Sequence, residues 1–140
     1  MKIVLDTNCL LPAIFENSPY NWLWEAFGEG KFYLCSSTEI LEEYGELMAS
    51  FYSVQISESV INTITNANNF IPVIPYFKWN LIIADPEDNK FADCALNAGA
   101  DYIVTNDKHF NILKKMNFPY IKIVDIKAFK KIISEKHPLK

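Results

Sequence analysis

The chain has 140 residues, of which 50% are apolar and 21% are charged, and its apolar runs stay far below the roughly 18 residues of a membrane span. This composition excludes a disordered or low-complexity chain, and we expect one domain that covers residues 1–140. The net charge of −4 is spread unevenly: residues 1–107 carry four lysines and fifteen acids, whereas residues 108–140 carry nine lysines and two acids. The three cysteines are widely spaced, which favours free thiols and a cytoplasmic location.

Short apolar strands alternate with helices along the chain, which indicates a parallel sheet covered on both faces. The predicted strands are residues 3–5, 32–35, 102–105 and 120–124. The predicted helices are residues 10–15, 22–27, 37–51 (capped by Ser36 or Ser37), 58–69, 85–99, 107–116 and 126–133. Residues 73–83 are ambiguous. We therefore expect an α/β fold with three layers, α/β/α, around a central, mainly parallel sheet of four to five strands.

Two acids stand just after predicted strands. Asp6 directly follows residues 3–5, and Asp107 follows residues 102–105 after one intervening residue. Because functional groups in an open parallel sheet gather beyond the carboxyl ends of the strands, both acids are candidate site residues. Each also precedes a helix, so N-capping is the alternative interpretation, and it is stronger for Asp107.

The helix after Ser37 carries four glutamates, which helical geometry separates at about 100° per residue. Only Glu43 lies at the edge of the apolar stripe, between Ile40 and Leu47 in projection. A carboxylate at a core boundary is costly unless it has a partner, so its position favours a functional role. The alternatives are a chance charge at the rim of the core, or Glu42 as the functional residue.

Residues 85–88, with the sequence D-P-E-D, are typical of a helix start, in which Asp85 is the N-cap and Pro86 the first helical residue. Asp88 could complete a capping box, but it also projects onto the small apolar face that should pack against the sheet. We therefore expect Asp88 to point toward the two strand-end acids. Asp93 projects to the opposite side and is expected in solvent.

Four carboxylates are thus expected to converge at one edge of the sheet, those of Asp6, Glu43, Asp88 and Asp107. Two carboxylates about 4 Å apart repel by roughly 4 kcal/mol at an effective dielectric near 20, so either their pKa values rise or a cation binds. The sequence places no cationic side chain among them. Oxygen ligands without Cys or His favour Mg²⁺ or Mn²⁺, which can polarise a phosphoryl oxygen and activate a bound water. Attack of water on a phosphodiester fits this chemistry.

Four fragments of the sequence, in order, resemble the motifs of the PIN domain family, and the resemblance covers almost the whole chain. The fragments are Val4-Leu5-Asp6-Thr7-Asn8, Ile40-Leu41-Glu42-Glu43-Tyr44, Asp85-Pro86-Glu87-Asp88 with Phe91, Ala95 and Gly99, and residues 100–107 with Phe110. The resemblance implies an enzyme, a nuclease that cleaves single-stranded RNA with Mg²⁺ or Mn²⁺. It also implies one role, that of metal ligand and catalytic residue, for four acids: Asp6, Glu43, Asp88 and Asp107.

Within this family the chain is similar to the toxin components of prokaryotic toxin–antitoxin pairs, in the branch with a D-P-E-D-type third motif. That similarity implies a protein antitoxin as partner and a homodimer, and it implies no membrane partner. The chain contains no arginine, so lysines and backbone N–H groups must bind the RNA phosphates.

Residues that flank the acids are candidates for supporting roles. Those expected to orient a ligand or a water are Thr7, Asn8, Thr105 and Asn106, with turn and cap chemistry as the alternative. Those expected to contact RNA phosphates are Lys108, Lys114 and Lys115, on the helix that starts at Asp107, with simple solvation of that helix as the alternative. His109 is expected at the surface or at a helix start rather than as a general base.

Two other classes of function stay open. One is a PIN-like module that binds nucleic acid or protein with weak catalysis, against which four retained acids argue. The other is a small Mg²⁺-dependent phosphatase or signalling domain, which needs a nucleophilic Asp and a Lys or Thr near the phosphate. Lys108 and Thr105 could serve there. A phosphoenzyme would distinguish this class, because hydrolysis of the PIN type has no covalent intermediate.

Overall fold

The computed structural model describes residues 1–82, 86–115 and 120–138. Its strands are β1 (Lys2–Leu5), β2 (Tyr33–Ser36), β3 (Phe70–Pro72), β4 (Tyr102–Val104) and β5 (Ile123–Val124). They form one parallel sheet in the order β3-β2-β1-β4-β5. The two strands predicted to carry site acids, β1 and β4, are direct neighbours, with Leu5 opposite Val104.

Helices cover both faces of this sheet. In the described residues they are α1 (Thr7–Leu10), α2 (Asn21–Gly28), α3 (Thr38–Phe51), α4 (Val54–Thr65), α5 (Asn89–Ala98), α6 (Asn111–Lys114) and α7 (Ile126–Lys136). Successive strand residues point to opposite faces, yet Ile3, Val4 and Leu5 are all buried. Helix α5 packs against β1, β2 and β4, whereas α2 and α7 meet at Phe32. The predicted three-layer α/β fold is confirmed.

None of the helices in the described ranges combines the length and the apolar character that a membrane crossing requires.

Caps set the ends of the helices that border the site. Ser37 Oγ accepts a hydrogen bond from the backbone N–H of Ile40 at 3.3 Å, so Ser37 is the cap of α3. Helix α5 ends at Gly99, whose φ of +63° is a left-handed conformation that residues with a Cβ atom rarely adopt. A 3-10 turn, Pro86–Asp88, leads into α5 and places Asp88 at its N-cap. Asp85 and Met116, predicted near helix ends, lie outside the described residues.

Several element boundaries differ from those predicted. Helix α4 begins at Val54 rather than residue 58, because Ser53 Oγ accepts a hydrogen bond from the backbone N–H of Ile56 at 3.0 Å and caps the helix earlier. Strand β3 is not predicted, since it has three residues, lies at a sheet edge and ends in a proline. The helix expected after Asp107 is divided into a 3-10 turn, Lys108–Phe110, and the short helix α6.

The segment 73–82 has no regular secondary structure and is held along α5 by three polar side chains at four-residue spacing. The pairs are Asn97 with the N–H of Tyr76 (3.1 Å), Asp93 with the N–H of Trp79 (2.9 Å) and Asn89 with the N–H and carbonyl of Ile82 (2.8 and 3.0 Å). The expectation that Asp93 lies in solvent is therefore wrong. Asp93 is buried, and this burial raises its pKa.

Candidate active site

The ends of β1 and β4 bring Asp6 and Asp107 to one edge of the sheet. Asp6 directly follows Leu5, and its backbone N–H donates to the carbonyl of Val104 at 3.0 Å. The hydroxyl of Thr105 links the two acids, because it donates to Asp6 Oδ2 at 2.7 Å and accepts from the backbone N–H of Asp107 at 3.0 Å. Thr105 therefore makes the orienting contacts expected of a supporting residue.

The Asp6 carboxylate stands where a negative charge is unfavourable. Asp6 is only 5% exposed. Burial raises its pKa, and the hydrogen bond from Thr105 counteracts part of this effect, while Asp107 and Glu43 raise the pKa further. The backbone N–H of Asn8 also lowers it, and the net result is a raised pKa. Negative charge at this edge of the sheet is thus incompletely compensated.

Asp88 and Asp107 approach each other at the ring of His109. His109 Nδ1 lies 3.5 Å from Asp107 Oδ1 and 3.8 Å from Asp88 Oδ2. Possible ligand atoms of these three residues all lie within 4.8 Å of one another. The sequence therefore places Asp88 correctly beside Asp107, as its projection onto the packed face of the helix predicts.

His109 is the third member of this group, and the sequence predicts its position at a helix start but not the place of its ring between two acids. It stands at a helix start, as expected, where its backbone N–H donates to Asp107 Oδ1 at 2.9 Å, so Asp107 is also an N-cap. Its side chain is 48% exposed, yet the ring lies between two acids. The predicted N-cap at Asp107 could have indicated this position, because an N-cap hydrogen bond holds the residue two positions later close to the capping carboxylate.

Glu43 is the glutamate of α3 that reaches the site. Its side chain is 29% exposed, whereas the other three glutamates of the helix are exposed, in agreement with the helical projection. The hydroxyl of Thr7, the neighbour of Asp6, donates to Glu43 Oε2. Glu43 Oε1 lies 2.9 Å from Lys90 Nζ. Both carboxylate oxygens of Glu43 are therefore engaged by protein groups.

Lys90, in the first turn of α5, is a residue of the site that the sequence did not predict. The expectation that no cationic side chain lies among the acids is therefore wrong. Its side chain is 6% exposed. Besides Glu43, the Nζ atom donates to the carbonyl of Glu87 at 2.7 Å. Burial opposes the charge on Lys90, but Glu43 and then Glu87 outweigh it, so the pKa of Lys90 is raised. Its position in the sequence could have indicated a role, because Lys90 lies two residues after Asp88 in a part of the chain that has few lysines.

The other flanking residues have separate environments. Asn106 Oδ1 accepts from the backbone N–H of Ile126 at 3.1 Å, which is cap chemistry that joins the loop after β4 to α7. Asn8 is exposed and reaches Asp6 through its backbone N–H. Three exposed lysines follow Asp107: Lys108 in the 3-10 turn, Lys114 at the end of α6 and Lys115 directly after that helix. Their contact with RNA stays a prediction.

The donor set fits a hard divalent cation. Carboxylate oxygens dominate it, with one imidazole nitrogen, and such a set favours Mg²⁺ or Mn²⁺ over softer metals. Burial is the main reason that the pKa of Asp6 is raised, with Asp107 and Glu43 as further causes, so a bound cation would favour the charged form of this carboxylate. Asp88, Asp107 and His109 could hold such an ion directly, because their possible ligand atoms lie within 4.8 Å of one another. Asp6 adjoins this group through the Thr105 hydroxyl, which also contacts the backbone of Asp107.

Comparison with known proteins identifies the family of this chain. A family model described as PIN domain matches residues 2–109, a range that contains all four predicted acids. Among solved structures, the fold is similar to a chain in the crystal structure of VapBC2 from Rickettsia felis bound to a DNA fragment from their promoter. The TM-score is 0.62 at 15% identity, covering 89% of this chain and 98% of that chain. No curated protein matches the sequence. Because the family model matches most of the chain, this protein belongs to the PIN domain family.

Proposed function

We propose that this PIN domain is a divalent-metal-dependent endoribonuclease that hydrolyses phosphodiester bonds of single-stranded RNA. The observation that carries the proposal is the meeting of Asp6 and Asp107 at the carboxyl ends of β1 and β4, with Asp88 beside Asp107. Buried Asp6 has a raised pKa, which supports a cation as part of the working site. Hydrolysis of a phosphodiester benefits from such a cation next to the phosphate.

The acids and their neighbours have distinct roles in this proposal. Asp6, Asp88 and Asp107 would hold Mg²⁺ or Mn²⁺, which when bound polarises a phosphoryl oxygen and lowers the pKa of a water. Thr105 orients the Asp6 carboxylate through its 2.7 Å hydrogen bond. Glu43, the fourth predicted ligand, adds negative charge to the site while its own oxygens contact Thr7 and Lys90.

We also propose that the nuclease is a VapC-like toxin. Its partners would be a protein antitoxin and a second copy of the chain, in the cytoplasm, with residues 1–140 as one domain. Support comes from membership of the PIN family and from the fold shared with a chain of a VapBC2 structure. The uneven distribution of charge, with the basic side chains concentrated in residues 108–140, gives a charged partner a place to dock.

The test of this function is cleavage of a panel of labelled RNAs in Mg²⁺, Mn²⁺ or EDTA. We expect cleavage of single-stranded RNA by the wild type with either ion, none with EDTA, and none by Asp6→Asn. Asp101→Asn is the matched control, because Asp101 lies at the opposite end of β4 and bonds to the backbone N–H of Lys2. Cleavage that persists in EDTA would contradict the metal dependence, and a phosphoenzyme would favour the phosphatase alternative.

Metal binding should stabilise the fold. An ion that binds only the native state raises the free energy of unfolding by about 2.7 kcal/mol at 100 times its dissociation constant. We therefore expect the melting temperature of the wild type to rise during a titration with Mn²⁺. A midpoint that stays constant up to millimolar Mn²⁺ would argue against the site.

Asp6→Asn provides the control for that titration. A carboxyl whose pKa is raised in the folded state costs stability once the pH exceeds its unfolded value, and this cost is complete above its folded value. At neutral pH without metal, Asp6→Asn should therefore melt no lower than the wild type. It should also lose the rise with Mn²⁺, and a retained rise would place the ion elsewhere.

The lysines after Asp107 should bind RNA phosphates. Each phosphate contact with a single strand contributes about −0.7 to the slope of log affinity against log salt concentration. We expect Lys114→Gln with Lys115→Gln to weaken RNA binding for all sequences and to flatten this slope, without changing the affinity for Mn²⁺. Lys127→Gln with Lys131→Gln is the matched control, since these exposed lysines lie on α7. Equal effects of the two pairs would mean that only net charge matters.

A further inference from the structure

We propose that the ammonium group of Lys90 fills the cation position beside Glu43. The centre would then bind a single divalent ion, and Glu43 would be a positioning residue rather than a ligand. This inference rests on the proposed function, because it concerns the ion of the same site. The geometry that carries it is the engagement of both Glu43 oxygens, one by Lys90 Nζ at 2.9 Å and the other by the hydroxyl of Thr7.

Lys90 is held in place by the fold. Its side chain is 6% exposed, and Nζ also donates to the carbonyl of Glu87 at 2.7 Å. The preceding residue, Asn89, is buried and bonds to both backbone groups of Ile82, which fixes the first turn of α5. Moving the ammonium away would break these contacts and leave the Glu87 carbonyl without its donor. The positive charge of Lys90 is therefore a fixed part of the folded site.

The charges of the site also favour a single ion. The four predicted acids carry four negative charges, of which one ammonium and one divalent cation offset three, and the exposed Glu87 carboxylate lies 3.7 Å from the same ammonium. A second divalent cation bound to Glu43 would lie within a few ångströms of the Lys90 ammonium and be repelled by it. Asp88 and Asp107 both lie beside the His109 ring. Lys90 pairs with Glu43 and Glu87 instead. Lys90 thus compensates one part of the acidic cluster and leaves the other part to the metal.

Glu43 then acts on the site through its neighbours. Glu43 accepts a hydrogen bond from the hydroxyl of Thr7, the residue that follows Asp6. It also forms an ion pair with Lys90, which lies two residues after Asp88 in the first turn of α5. Glu43 therefore joins α3 to two of the three chain segments that carry the proposed ligands, to that of Asp88 through Lys90 and to that of Asp6 through Thr7. A positioning role of this kind explains why a glutamate is needed at this point without assigning it an ion.

The test is the number of Mn²⁺ ions bound per chain, measured by equilibrium dialysis with electron paramagnetic resonance of free Mn²⁺. We expect one equivalent for the wild type. Lys90→Met removes the charge and frees Glu43, so a second equivalent should appear. Lys90→Gln keeps a hydrogen-bond donor for the Glu87 carbonyl and should also bind a second equivalent of Mn²⁺. This variant replaces Lys90→Met in the test if Lys90→Met does not fold. Lys90→Met with Glu43→Gln should return to one equivalent, because the second ion would depend on the Glu43 carboxylate.

Two equivalents in the wild type, or one equivalent in both Lys90 variants, would overturn the inference. A wild type that binds no Mn²⁺ would overturn it together with the proposed function. A wild type that binds one ion, with the gain in the Lys90 variants, but cleaves no RNA would contradict the proposed function and support the assignment of Lys90. The two failures are therefore distinguishable by counting ions and assaying cleavage on the same samples.

Discussion

Glu43→Gln is expected to lower RNA cleavage by about 10- to 100-fold, the range for residues that hold metal ligands in place. The neutral amide would no longer balance the buried ammonium of Lys90, and it would bind the Thr7 hydroxyl less strongly than a carboxylate does. Thr7 and Lys90 adjoin the segments that carry Asp6 and Asp88, so the ligands should lose their alignment. Initial rates on one susceptible RNA at saturating Mg²⁺ measure the effect.

Helix α3 offers its own controls for this change. Glu39→Gln, Glu42→Gln and Glu46→Gln alter exposed residues and should leave cleavage nearly intact. If Glu42→Gln were the inactive variant, the orientation of α3 about its axis would be wrong by one residue. Equal losses in all four variants would instead indicate a general effect of charge on this helix.

Lys90→Met is expected to lower the free energy of unfolding by about 3 kcal/mol at pH 7 without metal. Breaking a buried ion pair by removing one partner typically costs 3–5 kcal/mol, and the lower end applies because Glu43 is 29% exposed. The loss would leave the Glu43 carboxylate close to Asp6 with no cation beside it. Urea unfolding monitored by tryptophan fluorescence gives the free energy.

The double variant Lys90→Met with Glu43→Gln completes a thermodynamic cycle for this pair. The double variant leaves neither charge unpaired. Its loss in free energy of unfolding should therefore be smaller, by about 1–3 kcal/mol, than the sum of the losses of the two single variants. Additive losses would mean that Lys90 and Glu43 do not interact in solution. Lys31→Met is a matched control, because Lys31 pairs with exposed Glu29 at 3.3 Å and should cost less than about 1 kcal/mol.

The positions of Asp6, Asp88 and Asp107 could be inferred from the sequence because local rules determine them. A short apolar strand with an acid at or just beyond its end indicates the carboxyl edge of a parallel sheet, and this describes β1, followed directly by Asp6, and β4, followed after two residues by Asp107. Helical projection was enough to separate Glu43 from the other glutamates of α3. In each case the pattern lies within one element, so no knowledge of its neighbours in space is needed.

Lys90 and Asp93 could not be placed in this way, because their partners lie outside α5. Lys90 meets Glu43 from α3, and Asp93 meets a backbone N–H in the irregular segment 73–82. Helical periodicity tells which face is apolar, but it does not reveal which polar group of a distant segment reaches that face. Edge strand β3 was not predicted for another reason, because three residues are too few to show the alternation of apolar and polar residues that is typical of a strand.

The most direct measurement of the central claim is the anomalous diffraction of crystals grown with Mn²⁺, which locates bound ions without reference to activity. We expect one strong peak bounded by the carboxylates of Asp6, Asp88 and Asp107, with Lys90 still in contact with Glu43. The absence of a peak at this edge of the sheet, or a peak confined to another part of the chain, would contradict the account of the site.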